Sequence, residues 1–141
     1  PTGRSGLVVS ASTGVEPLFT LISDGEIHPA LLEQLKKYGV ADEITISRIR
    51  ETGSCQDIAL PGDVKSVFRT ATEINPSGHL KMVSAILPCV DESISKTINL
   101  PNEATVEEVK SIYMEAHRSG LKGVTIYRNG SVKNQPRKVA K

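Results

Sequence analysis

Apolar residues recur at helical spacing through most of the chain. From His28 to Gly39, Leu31, Leu32, Leu35 and Tyr38 fall at i, i+1, i+4 and i+7 on one face, which predicts a helix. Pro29 suits its first position, where the missing N–H would have no partner. Gly39 suits a left-handed stop, with Val40 packing back. Asp42 is placed to cap a second helix through about Glu51, with Ile44, Ile46 and Ile49 as a partial apolar face and Gly53 as its end. A turn at Leu60-Pro61-Gly62 leads to a short helix capped by Asp63. Pro76-Ser77 opens another, carrying Leu80, Met82, Val83, Ile86 and Leu87, which Pro88 should kink or end. A further short helix is predicted from about Gly6, broken by Gly14 and Pro17.

The pattern changes near residue 95. Ser95 to Leu100 reads as a strand closed by Pro101. Thr105 and Glu108 form a capping box for a helix carrying Val106, Val109, Ile112, Tyr113 and Ala116, which stops at Gly120 with Leu121 as hydrophobic partner. Val124 to Arg128 is a second strand. Asn129-Gly130 signals a tight hairpin, with Ser131 and Val132 returning. Strand, helix, strand from about 95 to 128 implies a parallel pair with a crossover helix. The fold expected is a helix-rich α/β one with this single βαβ unit near its C-terminal end. Two parallel strands cannot cover both of their faces, so most of the sheet is expected to come from elsewhere.

Composition narrows the function classes. Lys and Arg number 17 against 16 Asp and Glu, so no overall field draws the chain to nucleic acid or to a membrane. The basic run 133–141 reads as a solvated tail. Trp is absent and Tyr and Phe together number five, which counts against a stacking platform for single strands. No stretch is long and apolar enough to span a membrane. Cys55 and Cys89 lack CxxC spacing, so neither a zinc site nor a secreted disulfide framework is indicated; a reducing, cytoplasmic setting is expected. Each cysteine reads as a small apolar residue rather than a nucleophile. His28 reads as a cap or surface residue, and His79 and His117 lie near helix ends. No catalytic residue and no metal ligand is assigned.

One stretch carries candidate chemistry. In Pro1-Thr2-Gly3-Arg4-Ser5-Gly6, a glycine-spaced turn before a helix offers backbone N–H groups to an anion. Thr2 and Ser5 add hydroxyl donors, and Arg4 adds a charged fork. Neither the P-loop pattern nor GxGxxG is present. The same residues also make an ordinary turn.

The combination of blocks is more specific than any one. PTGxxxLxxxxSxGVEPLF, TGSxQD, FxTAxEIxPxxHLKMxxA, VDxSISKTINLPxxATxEEV and GLKGxTxYRxGS follow one another over Pro1 to about Val132. Together they resemble the last part of the catalytic domain of adenosylcobalamin-dependent (class II) ribonucleotide reductases. The resemblance implies a partial piece of a ten-stranded α/β barrel, 1–132, followed by the tail 133–141. It implies radical reduction of ribonucleotides and a substrate-phosphate loop at Thr2, Gly3, Arg4 and Ser5. The family usually has Thr-Ile-Ser where Arg4-Ser5-Gly6 stands, so hydroxyls have been exchanged for a guanidinium. The family's radical and redox cysteines match no position here, and Cys55 and Cys89 do not replace them. The chain is therefore expected to be a piece of a reductase, inactive alone. Its partners would be the remaining catalytic chain and nucleotide. Adenosylcobalamin would belong to the complete enzyme. Two other readings stay open: a nucleotide-binding module, possible as a homodimer, and a relic without ligand.

Overall fold

A computed structural model of the chain describes residues 14–23 and 25–131. The helix expected from about Gly6, the loop residues Thr2, Gly3, Arg4 and Ser5, and the tail 133–141 lie outside the described residues. Among the described residues, 18–70 form one compact unit, and 14–17 with 71–131 form the other.

The first unit opens with a hairpin that the apolar pattern does not reveal. Strands β1 (Ile22–Ser23) and β2 (Glu26–Ile27) pair antiparallel, Ile22 opposite Ile27 and Ser23 opposite Glu26. Two-residue strands are too short to show alternation. The signal present is the dipeptide Asp24-Gly25, with Gly25 at a φ of 82°.

Helix α1 (Pro29–Lys37) follows, with Pro29 in its first turn as expected. Gly39, at a φ of 69°, closes it: its N–H donates to the Lys36 carbonyl at 3.1 Å, and the Val40 N–H to the Leu35 carbonyl at 2.9 Å. Helix α2 (Glu43–Thr52) is capped by Asp42, which accepts from the Thr45 N–H at 2.8 Å. That bond holds the Asp42 carboxyl below its usual range. Helix α3 (Gly62–Val67) corrects one expectation. Asp63 lies inside its first turn, and Pro61 occupies the cap position without a side-chain bond. The Asp63 carboxylate there still favours the positive end of the helix dipole. Leu21, Ile27, Leu31, Leu35, Ile49, Cys55, Ile58, Leu60 and Phe68 form the core of this unit.

The second unit holds helix α4 (Pro76–Ile86), the expected strands β3 (Thr97–Leu100) and β4 (Thr125–Arg128), and helix α5 (Val106–Arg118) between them. The cap of α4 is Asn75, which accepts from the Ser77 N–H at 2.9 Å. Pro88 ends that helix as expected, and Leu87–Cys89 forms a single 3-10 turn. The capping box at Thr105 and Glu108 is complete. Strands β3 and β4 pair in parallel from Thr97 opposite Thr125 to Leu100 opposite Arg128. The helix-rich α/β class with one βαβ unit is thus observed. Asn129 and Gly130 turn as expected, Gly130 at a φ of 74°, and β4 pairs with β3; the return expected through Val132 lies outside the described residues. Leu80, Ile98, Leu100, Ile112 and Ala116 form the core here, with Val109, Leu121, Val124 and Ile126 packed against it.

Candidate functional site

Alternation along the strand that becomes β3 sends Lys96, Ile98 and Leu100 to the buried side. Lys96 is only 2% exposed. An ammonium removed from water needs an opposite charge and hydrogen-bond acceptors. Glu16 supplies the charge, with Oε2 2.5 Å from Lys96 Nζ. Lys96 Nζ also donates to the Thr97 carbonyl. The other carboxylate oxygen, Glu16 Oε1, accepts from the Thr97 N–H at 2.7 Å.

These bonds fall on one side of β3. The Lys96 and Leu100 carbonyls accept from the N–H groups of Thr125 and Asn129, toward β4. In a parallel ladder the intervening residue turns its backbone groups to the opposite edge. There the side chains of Glu16 and Lys96 occupy both backbone groups of Thr97. The segment ending at Glu16 is therefore fastened to the first residue of the strand.

His79, on α4, lies beside this pair electrostatically and is 2% exposed. Its Nε2 is 2.9 Å from the Ala71 carbonyl, which makes Nε2–H the donor. Burial pushes the imidazole below its ordinary value of 6.5, and the Lys96 charge adds to that; the Ala71 hydrogen bond and Glu16 oppose it. The neutral ring is the native form. Because the unfolded chain takes up the proton more readily, the stabilisation is complete above pH 6.5 and is lost as pH falls toward the depressed native value. Urea midpoints measured from pH 7.5 down to 5 should fall for the parent protein. The fall should flatten in His79→Gln, whose amide can still donate to Ala71. Equal slopes in the two proteins would contradict this origin.

A cavity of about 520 Å³ opens at the C-terminal end of β3, between the start of α4 and the first turns of α5. Glu73, Glu108 and Glu115 line it, together with Thr72, Ser77, Ser111, Asn75 and Asn99, and among the described residues no Lys or Arg does. Glu115 accepts from the Ser77 hydroxyl at 3.0 Å, and Glu108 from the Thr105 N–H at 2.7 Å. Such a lining suits hydroxyl and amine donors and repels phosphate. Thr2, Gly3, Arg4 and Ser5 lie outside the described residues.

The remaining sequence candidates have ordinary places. Cys55 is fully buried in the apolar core of its unit, as expected of a small hydrophobe, and Cys89 is exposed. His28 occupies the N-cap position of α1, but its side chain makes no cap bond; its Nδ1 is buried without a hydrogen-bond partner among the described residues. His117 lies in the last turn of α5. Among the described residues no group of three or more His, Cys, Asp or Glu is placed to hold a metal, and no helix is long and apolar enough to cross a membrane. The Glu16–Lys96 pair was missed from sequence. A lysine on the apolar-facing register of Ser95 to Leu100 is the signal that could have found half of it.

Comparison with known proteins adds a family. Residues 1–127 match the family model described as ribonucleotide reductase, barrel domain. The vitamin B12-dependent ribonucleoside-diphosphate reductase of Mycobacterium tuberculosis (strain H37Rv) is 34% identical over 96% of this chain and 20% of its own length. The enzyme of the same name from Thermoplasma acidophilum is 31% identical over 93% of this chain and 18% of its own. The class Id ribonucleotide reductase alpha subunit of Actinobacillus ureae superposes with a TM-score of 0.83 at 25% identity, over 92% of this chain and 25% of that one. The chain thus spans about a fifth of the length of the curated relatives it matches.

Proposed function

Because the chain belongs to the ribonucleotide reductase barrel-domain family, we propose that it forms part of the catalytic barrel of a reductase that converts ribonucleoside diphosphates to their 2′-deoxy forms by radical chemistry. The observation that carries this reading is identity of 34% to a vitamin B12-dependent ribonucleoside-diphosphate reductase across 96% of the chain. Residues 1–132 serve as one barrel segment, and β3, α5 and β4 as one step of a ten-stranded barrel. Among the described residues the β3–β4 sheet has two strands, and strand edges recruit further strands. The partner is the remainder of the catalytic polypeptide. The alternative partner is a second copy of the chain; a dimer mass in light scattering of the isolated chain would favour it.

The segment's own contribution is the substrate-phosphate loop at Thr2, Gly3, Arg4 and Ser5. Adenosylcobalamin generates the radical in enzymes of this type. The described residues do not fit that group: the buried His79 imidazole is committed to the Ala71 carbonyl, and the Glu16 and Lys96 charges are committed to each other.

The test is a chimeric reductase in which residues 1–141 replace the matching segment of the Mycobacterium tuberculosis enzyme. With ADP as substrate, Arg4→Ala should raise KM by the equivalent of about 1.5–3 kcal/mol, the scale of a hydrogen bond to a charged group. An unchanged KM would return residues 2–5 to an ordinary turn.

A further inference from the structure

Residues 18–70 interrupt the other unit, which stops at Pro17 and resumes at Ala71. The chain therefore enters and leaves this insertion through two connections, one just after Glu16 and one just before Ala71. Each is fastened inside the unit of 14–17 and 71–131 by a buried side chain. Glu16 is held at both carboxylate oxygens, by Lys96 Nζ and by the Thr97 N–H. The Ala71 carbonyl accepts from His79 Nε2–H at 2.9 Å. Thr70 and Ala71 are both buried, whereas connecting segments usually run over the surface. The insertion has a core of its own around Leu31, Leu35, Ile49 and Cys55, which lets it stay folded when a connection gives way.

The two clamps answer differently to acid. Histidine is the side chain that changes charge between pH 5 and 8, and the Ala71 clamp is the one that holds a histidine. The stretch leading into β3 brings Lys96 to act on its ring, and the segment before Pro17 brings Glu16. Helix α5 sets Glu115 on the Ser77 hydroxyl of α4, and the 3-10 turn Leu87–Cys89 carries no charged side chain. A proton on the ring adds a second buried cation beside Lys96, while the Glu16 carboxylate is already bonded to Lys96. The charged ring reaches water only by leaving the Ala71 carbonyl.

We infer that the two clamps form a latch on the insertion 18–70, in which acid opens the His79–Ala71 point while the Glu16–Lys96 point stays closed. The closed latch holds the neutral ring, so its stability is complete above the ordinary imidazole value of 6.5 and falls as pH drops below it. At neutral pH the insertion is held at both ends. In acid it is held at one, with both units still folded.

The experiment reads opening at Ala71 with a thiol, in the full chain. Cys89→Ser removes the exposed thiol, and Ala71→Cys adds one while keeping the carbonyl that His79 holds. Buried Cys55 reports any opening of the insertion itself. Labelling by a dipyridyl disulfide is followed from pH 7.5 to 5.5, each rate divided by that of an unstructured cysteine peptide in the same buffer. The thiol introduced by Ala71→Cys should become about tenfold more accessible over this range, because one proton gives about tenfold for the pH unit below 6.5. Cys55 should stay within about twofold of its rate at pH 7.5, since the opening is local. His79→Gln, whose amide still donates to Ala71, should abolish the gain. If that variant fails to fold, the shape of the gain decides: a single proton gives at most about one log unit per pH unit, beginning near 6.5. A steeper gain, a gain shared by Cys55, a gain that survives His79→Gln, or none at all would overturn the inference.

Discussion

Glu16→Ala is expected to lower the unfolding free energy by about 3 kcal/mol, the lower end of the range for breaking a buried ion pair from one side. The asymmetry of the pair sets this value. The Lys96 side chain is 1% exposed and that of Glu16 28%. Removing the carboxylate leaves an ammonium that cannot reach bulk water and keeps only the Thr97 carbonyl. It also strips the Thr97 N–H of its acceptor. Water entering on the Glu16 side relieves part of the loss, which is why the upper end is not expected. Glu16→Gln/Lys96→Met should recover most of the stability, because neither charge is then buried and the Gln oxygen can still accept from Thr97. Urea unfolding of the three proteins decides the matter. A loss below about 1 kcal/mol for Glu16→Ala would mean that the pair behaves as an exposed one.

Ile98→Ala is the second large effect, at about 4 kcal/mol within the 2–5 kcal/mol range for deleting a buried aliphatic side chain. Ile98 is fully buried in the core formed with Leu80, Leu100, Ile112 and Ala116. It lies in a strand paired along its length with β4, so the backbone cannot fold into the void as an exposed loop could. Ile98→Val should cost only about 1 kcal/mol, because one methylene is lost. Val106→Ala, at a side chain 78% exposed, should stay within about 0.5 kcal/mol of the parent. A similar loss for Ile98→Ala and Val106→Ala would mean that the parallel βαβ unit does not form as described.

The legible parts of the fold were those with local causes. Pro29, Gly39, Asp42, Gly53, the Thr105–Glu108 box and Gly120 each act within a few residues of themselves, and each stands where the sequence placed it. The strand pair followed from Ser95–Leu100 and Val124–Arg128 flanking a capped amphipathic helix. The misses had two sources. The β1–β2 hairpin is held by two residue pairs, too few for a period to register. The cap of α4 is Asn75, whose role was masked by the stronger signal of Pro76. The site divides in the same way. Cys55 was legible as core because a lone cysteine, with no CxxC partner and no histidine at local spacing, most often packs as a small hydrophobe. The Glu16–Lys96 contact joins residues far apart in the chain, and only the fold brings them together. The phosphate loop proposed at Thr2, Gly3, Arg4 and Ser5 rests on a sequence pattern of donors and lies outside the described residues.

The central claim is that this chain is a working segment of a ribonucleotide reductase barrel. The measurement that meets it most directly is formation of 2′-deoxyADP from ADP by the chimeric reductase with adenosylcobalamin and a dithiol reductant. Product that depends on adenosylcobalamin, and that vanishes when residues 1–141 are deleted from the chimera, is the predicted result. A chimera that is folded and binds cobalamin yet forms no deoxynucleotide would contradict the account.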